Sequence, residues 1–170
     1  MEPWSGRLSF YVVGVTPHGS PMRAIILFLA TGAYSGYAPV APGTVGSFVA
    51  IPLVYVSAQL LKISPILHIV SLLLAIVGAC WVAGKADHYL DEHDSGKIVI
   101  DEIVGLLTAT ALLEMSLNRL VVAFFLFRLF DILKPPPARY FDERVPGGAG
   151  VVLDDVWAGI YTNLIVRAFL

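Results

Sequence analysis

Long uncharged segments make up most of the chain, and short stretches rich in proline, glycine or charged residues separate them. One uncharged run covers residues 24–61 and another covers residues 63–84, and each is long enough to cross a hydrocarbon core of about 30 Å. No alternation of apolar and polar positions persists along any segment, which argues against β-strands. The pattern therefore predicts an all-α protein of about four to six helices, folded as a compact bundle with several membrane-embedded helices.

The predicted helices end where proline, glycine or charged residues interrupt the apolar pattern. Their predicted bounds are 24–33, 45–61, 63–89, 98–113, 120–133 and 151–170. The fifth is expected to stop at 135–137, because three consecutive prolines cannot continue a helix. Residues 1–22 lack strong periodicity and are predicted to be a variable leader, followed by a single helical domain at 23–170.

Composition favours a membrane protein over a soluble one. Apolar residues make up 57% of the chain, mean hydropathy is +0.78 and charged residues make up 14%. A soluble helical domain with a large core is the alternative, because prolines such as Pro39 and Pro52 interrupt the apolar runs. The net charge of -2 and the absence of a basic stripe argue against nucleic-acid binding, and the single cysteine excludes an internal disulfide.

A structured loop rich in proline and glycine is predicted at residues 38–47, inside the first uncharged run. Irregular backbone at membrane depth is tolerated only where it packs in protein or lines a wet cavity. Thr44 or Ser47 is predicted to cap the next helix, whose free N–H groups suit an anion. Gly43 and Thr44 are therefore candidates for holding a phosphate, and a plain helix–loop–helix turn is the alternative.

Two segments of the chain repeat the same spacing of an aspartate, a glycine and a threonine. Asp101, Gly105 and Thr108 have the same spacing as a second trio, Asp155, Gly159 and Thr162. Offsets of four and seven place each trio on one helix face, with a small residue where another helix can approach. The hypothesis is that the two helices pack face to face and that their carboxylates converge. Chance repetition of the spacing is the alternative.

Converging carboxylates require a cation or raised pKa values. Oxygen ligands favour Mg²⁺ first and Ca²⁺ or Mn²⁺ next. The predicted ligands are Asp101, Glu102, Asp154 and Asp155. Asp131 is a catalytic candidate and a possible further ligand.

Basic and histidine-bearing segments complete the predicted site. Arg128, Lys134 and Arg139 supply positive charge suited to phosphate oxygens, whereas Arg144 is interpreted as snorkelling at the membrane edge. His93 and Asp94 are candidates for proton transfer. Acids and bases beside a membrane indicate chemistry on a phosphorylated lipid head group.

Four ordered blocks strongly resemble the phosphatidylglycerophosphatase A family of bacterial membrane lipid phosphatases. They are A-P-G-T-V-G-S at 41–47, H-D-x-G-x-I-V-x-D-E-x-x-G at 93–105, F-R-x-x-D-x-x-K-P-x-P at 127–137 and D-x-x-V-x-G-G-x-G-x-x-x-D-D-x-x-A-G at 142–159. Pro136 departs from the pattern, since an aromatic residue is frequent there, and the family does not account for the leader.

The resemblance implies Mg²⁺-dependent hydrolysis of phosphatidylglycerophosphate to phosphatidylglycerol and phosphate during phospholipid biosynthesis. It also implies a multi-pass protein of the bacterial cytoplasmic membrane, with its carboxylate-lined site near the cytoplasmic face. A phosphatase for another phosphomonoester and a small membrane cation carrier are the alternatives. Arg128 with Lys134 argues against the carrier, because a cation path would not place positive charge beside its acids. The oligomeric state is not predicted.

Overall fold

The computed structural model describes residues 20–90 and 95–170. These residues form seven α-helices and a short 3₁₀ helix, and no strand occurs among them. The helices are α1 (Pro21–Ala30), α2 (Pro42–Ile63), α3 (Pro65–Leu90), α4 (Ile100–Ala109), α5 (Leu117–Leu133), α6 (Ala138–Arg144) and α7 (Gly148–Phe169), and the 3₁₀ helix is Ser35–Tyr37. The predicted all-α class is confirmed, whereas the predicted number of helices is too low by one.

The bundle is built around α7, which packs against α3, α4, α5 and α6. Helix α2 covers the other side of α4 and also contacts α3, and α1 packs on α3. One apolar core joins α1, α3, α4 and α7, and a second joins α2, α4, α5 and α7. Because α4 and α7 contribute to both cores, packing on more than one side fixes the position of these two helices.

Small residues let the helices around α7 approach closely. At Gly148, a Cβ atom would collide with the backbone of α3 at Cys80 and Gly84. At Gly159, a Cβ would collide with the carbonyl oxygen of Gly105 and lie 2.9 Å from Thr108 Cβ. The predicted face-to-face packing of the two repeated trios on α4 and α7 is therefore confirmed.

Three helices, α2, α3 and α7, are long and apolar enough to cross a membrane. Large apolar side chains cover their outer surfaces and that of α5, as at Leu74, Val77 and Phe125, which are 67%, 68% and 68% exposed. Apolar surface of this extent fits a lipid environment better than water. Helix α2 continues through Pro52 without ending there.

Several predicted details of the elements are wrong. Helix α2 begins at Pro42, so Thr44 and Ser47 lie inside it, and Ser47 Oγ instead donates to the Gly43 carbonyl oxygen at 3.0 Å. Helix α6 follows the three prolines in a stretch for which no helix was predicted. Its contacts with α7, including the stacked rings of Phe141 and Trp157, stabilise a segment too short to be helical by its own propensity.

Candidate active site

A cavity of about 320 Å³ opens at the end of the bundle where α2 and α7 begin and α5 ends. The acidic residues that line it are Asp101, Glu102, Asp131, Asp142, Asp154 and Asp155, and the basic ones are Arg128 and Lys134. Three of the four sequence blocks contribute charged residues, and the A-P-G loop contributes Ala41, Pro42 and Gly43. The structure therefore brings eight charged side chains of an apolar chain together in one place.

Three carboxylates converge because α4 and α7 pack so closely. Asp101 and Glu102 are in the first turn of α4, and Asp155 lies on α7 one turn before Gly159. One oxygen from each of the three lies within 4.8 Å of the others. Four of the predicted site residues on these helices thus line one cavity, and three of them form a compact acidic group.

Two carboxylate oxygens in this group have no group nearby that satisfies them by a hydrogen bond. Glu102 Oε2 and Asp155 Oδ2 are buried and have no hydrogen-bond partner. Burial, and for Asp101 also the neighbouring charge of Glu102, raises the pKa of the Asp101 and Glu102 carboxyls above their usual values. Buried unpartnered oxygens of like charge are costly unless a cation neutralises them. The donor set therefore fits a hard divalent ion that prefers oxygen ligands.

Asp154, the fourth predicted ligand, lies outside the group of three. Its Oδ2 is 2.7 Å from Lys134 Nζ, and the same Nζ is 2.5 Å from Asp142 Oδ1. Burial lowers the pKa of Lys134, but its bonds to the two carboxylates outweigh that effect and hold the pKa above its usual value. Lys134 therefore joins the end of α5 to both α6 and α7 at the cavity wall.

Arg128 is the cation nearest the acidic group. Its Nη1 atom lies 2.7 Å from Asp131 Oδ2 and 3.7 Å from Glu102 Oε1. Neither approach has hydrogen-bond geometry, so this buried nitrogen keeps an unused donor. Gly43 lies against the same side chains, since a Cβ there would collide with Glu102 Oε1 and lie 3.2 Å from Arg128 Nη1. A guanidinium with a free donor beside clustered acids is suited to an oxyanion held together with a cation.

The remaining predicted residues are less central. Arg139 is on the exposed face of α6, where its Nε donates to Glu143 Oε1 at 2.9 Å, and it does not line the cavity. Thr44 is also absent from the lining. His93 and Asp94 lie outside the described residues. The roles predicted for these four residues stay predictions.

Asp142 is a cavity residue to which the sequence analysis assigned no role. It is the first residue of the fourth sequence block, which was the available signal. Its position becomes meaningful only through α6, the helix that the sequence pattern did not predict.

Comparison with known proteins identifies the family to which the chain is related. A family model described as phosphatidylglycerophosphatase A matches residues 28–170. A Haemophilus influenzae protein named phosphatidylglycerophosphatase A is 39% identical over an alignment of 155 residues, which covers 88% of this chain and 94% of the relative. An Escherichia coli protein of the same name is 37% identical over 134 residues, covering 78% and 76% of the two chains.

A third relative, from Bacteroides thetaiotaomicron, is provisionally named a phosphatidylinositol-3-phosphatase. It is 34% identical over an alignment of 145 residues, which covers 82% of this chain and 90% of the relative. No solved structure matches the chain. The family match spans α2 to α7 and the last three residues of α1, and it includes all four sequence blocks. The chain belongs to the phosphatidylglycerophosphatase A family.

Proposed function

We propose that the protein hydrolyses phosphatidylglycerophosphate to phosphatidylglycerol and inorganic phosphate in phospholipid biosynthesis, with Mg²⁺ as its cofactor. The observation that carries the proposal is the group formed by Asp101, Glu102 and Asp155, with Arg128 beside it, in a chain of this family. To hold a phosphomonoester dianion together with its metal, a site needs carboxylates that bind the cation and a positively charged side chain that binds the phosphate oxygens.

Asp101, Glu102 and Asp155 are proposed to hold the ion, with Asp154 and Asp131 as neighbouring carboxylates that could complete the set. The bound ion would withdraw charge from the phosphate oxygens and favour deprotonation of a water molecule. The two unpartnered oxygens on Glu102 and Asp155 support this assignment, because they are free to become ligands.

Arg128 is proposed to bind the phosphate through its unused Nη1 donor. Lys134 adds positive charge at the wall, although Asp142 and Asp154 already engage its ammonium group. The backbone N–H groups of Gly43 and Thr44 are at the start of α2, where the helix itself offers them no acceptor. These groups would orient the phosphorus towards the acidic group.

Proton transfer is assigned to Asp131, His93 and Asp94. The attacking water must lose a proton and the departing glycerol oxygen must gain one. Asp131 lines the cavity and contacts Arg128, so it is the member of this trio with a described position beside the phosphate-binding group.

The proposed location is the bacterial cytoplasmic membrane, with the cavity facing the cytoplasm, where the substrate is made. Helix α2 begins and α5 ends at the cavity, and both have exposed apolar surfaces, so acyl chains could remain in the lipid while the head group enters. A multi-pass arrangement is supported by the three helices that are long and apolar enough to span a bilayer.

The test is phosphate release from phosphatidylglycerophosphate by the detergent-purified protein, first with EDTA and then with Mg²⁺ restored. Release that EDTA stops and Mg²⁺ restores is expected. Release that is indifferent to EDTA would leave a phosphatase but reject the carboxylate–metal site. An absence of release from folded protein in Mg²⁺ would reject the assigned substrate.

The provisional name of the Bacteroides relative favours one second candidate, a 3-phosphorylated phosphatidylinositol. The same assay decides between the two lipids. A higher kcat/KM for phosphatidylinositol 3-phosphate than for phosphatidylglycerophosphate would make the inositol lipid the substrate.

A further inference from the structure

We propose that a cavity at the end of the bundle opposite the candidate active site binds the head group of an aminophospholipid, a lipid that carries both a phosphodiester and an ammonium group. This cavity has a volume of about 650 Å³. It is lined by residues from the C-terminal part of α2 and by residues 112–115, which connect α4 to α5. The inference goes beyond the proposed function, because it concerns a lipid that is bound and not cleaved.

Helix α2 runs from one cavity to the other. It begins with Pro42, which lines the catalytic cavity, and its last turn contains Lys62, which lines the opposite one. A helix of 22 residues is about 33 Å long, which is close to the hydrocarbon thickness of about 30 Å. With α2 crossing the bilayer, the opposite cavity lies at the other membrane–water interface, among the head groups of the second leaflet.

Side chains from α3 and α7 hold one wall of this cavity in place. Leu112 has a φ of 55°, a left-handed backbone conformation that is costly for leucine and persists only where its surroundings hold it. His68, which is 2% exposed, accepts a hydrogen bond from Leu112 N through its Nε2 atom at 3.3 Å. Asn163 Nδ2 donates to Ala111 O at 2.8 Å, and Arg167 Nη2 donates to Leu112 O at 3.3 Å. These contacts fix the shape of the wall, so the cavity is preformed.

Two opposite charges line the cavity without pairing with each other. Among the described residues that line it, Lys62 and Glu114 are the charged ones. No ion pair joins these two side chains, and neither side chain forms one with another residue that the structure describes. Unpaired charges of opposite sign in one cavity are complementary to a ligand that carries both signs.

An aminophospholipid head group meets this requirement. Its phosphodiester would bind the ammonium group of Lys62, and its own ammonium group would bind the carboxylate of Glu114. Phosphatidylglycerol has the phosphodiester but no ammonium group, so it would leave Glu114 unpaired near the negative charge of the phosphate. Glu114 would therefore select the aminophospholipid by excluding the anionic one.

The other side chains at this cavity suit the part of the lipid below the head group. Leu61 and Met115 line it and are half-buried, and Tyr55, which also lines it, is 44% exposed. Ile63, the residue after Lys62, is 73% exposed. Tyrosine is enriched at membrane–water interfaces, and the exposed apolar residues of α2 offer a surface along which acyl chains can continue.

The experiment measures lipid adducts of the full-length, detergent-purified protein by native mass spectrometry. The probes are phosphatidylethanolamine and phosphatidylglycerol with the same acyl chains, so that they differ only in the head group. The variants Lys62→Gln and Glu114→Gln each remove one charge from the cavity. Lys85→Gln and Glu143→Gln are the matched controls, because both residues are exposed and neither lines this cavity.

The wild type and both controls should bind phosphatidylethanolamine about tenfold more tightly than phosphatidylglycerol, as for one additional charge-assisted hydrogen bond. Glu114→Gln should weaken phosphatidylethanolamine binding about tenfold and abolish this preference, whereas Lys62→Gln should weaken binding of both lipids about tenfold.

Equal binding of the two lipids by the wild type, or a preference for phosphatidylglycerol, would overturn the proposal. A variant at either position that binds both lipids as the wild type does would overturn it as well. The measurement does not depend on catalysis, so a protein that shows the expected binding but releases no phosphate would retain this site and reject only the proposed function.

Discussion

Replacing Gly159 with alanine tests whether close packing of α4 on α7 sets the geometry of the acidic group. The added Cβ would collide with the Gly105 carbonyl oxygen and lie 2.9 Å from Thr108 Cβ. Relaxed carbon–carbon contacts are about 3.5–4.0 Å, so the two helices must separate by about 0.6–1 Å. Asp155 lies one turn from Gly159, and Asp101 lies one turn from Gly105, so the separation is transmitted directly to the carboxylates.

The expected effects of Gly159→Ala on stability and on activity differ in size. Overpacking costs about 1–3 kcal/mol, and alanine regains about 1 kcal/mol of helix propensity relative to glycine. The net loss of stability is therefore about 0–2 kcal/mol. A displacement of about 1 Å at reacting groups can lower the rate about 100-fold. The variant should fold, melt at a slightly lower temperature and lose most of its kcat/KM.

The assay measures phosphate release as a function of Mg²⁺ concentration, together with thermal unfolding in the same detergent. Gly78→Ala is the matched control, because a Cβ at this glycine of α3 would meet no atom within 4 Å. It should keep wild-type activity and melt at the same or a slightly higher temperature. Full activity with unchanged Mg²⁺ dependence in Gly159→Ala would refute the idea that this interface positions the carboxylates.

The other predictions concern individual charges. Asp155→Asn should raise the Mg²⁺ concentration needed for half-maximal phosphate release and lower kcat/KM by about 100-fold or more. Even mutation of residues that only hydrogen-bond to metal ligands lowers metal affinity or activity by about 10–100-fold. Wild-type Mg²⁺ dependence in this variant would reject the assignment of Asp155 as a ligand. Arg128→Lys should lower kcat/KM about tenfold or more despite keeping the charge, because the planar fork is lost, and unchanged kinetics would remove Arg128 from the site. Burial raises the pKa of Asp101 and Glu102, so protons compete with the metal for these carboxylates. Half-maximal activation should therefore need less Mg²⁺ at about pH 8 than at about pH 6. A Mg²⁺ requirement that does not change with pH would contradict this prediction.

The sequence pattern predicts the helices that are long and apolar, because burial or lipid contact stabilises the whole segment. Helix α3 was placed within two residues at either end. Helix α6 was missed because its seven residues contain four charges and gain their helical structure from contact with α7. The start of α2 was placed three residues late, because Ala41 adopts a left-handed backbone conformation that no local rule assigns to alanine.

The repeated spacing of Asp101 and Asp155 predicted that two carboxylates meet, because a helix face follows directly from residue spacing. The different contacts that the individual carboxylates make could not be predicted from their spacing. Asp154 and Asp155 are adjacent in sequence, yet one contacts Lys134 and the other joins the group of three. Successive residues on a helix point about 100° apart, so their partners depend on which neighbouring helices surround α7.

The position of the cavity at the end of an apolar bundle has a consequence for how the reaction is observed. Phe125 and Ile132 of α5, the helix that ends at the cavity, are 68% and 72% exposed, so lipid chains could lie along the protein while the head group reacts. Under the proposed function, enzyme and substrate would then meet within the plane of the leaflet, and the lipid product would diffuse away within it while phosphate leaves into water. The rate should therefore follow the mole fraction of substrate in a micelle or vesicle, and dilution with buffer at constant lipid composition should change it little.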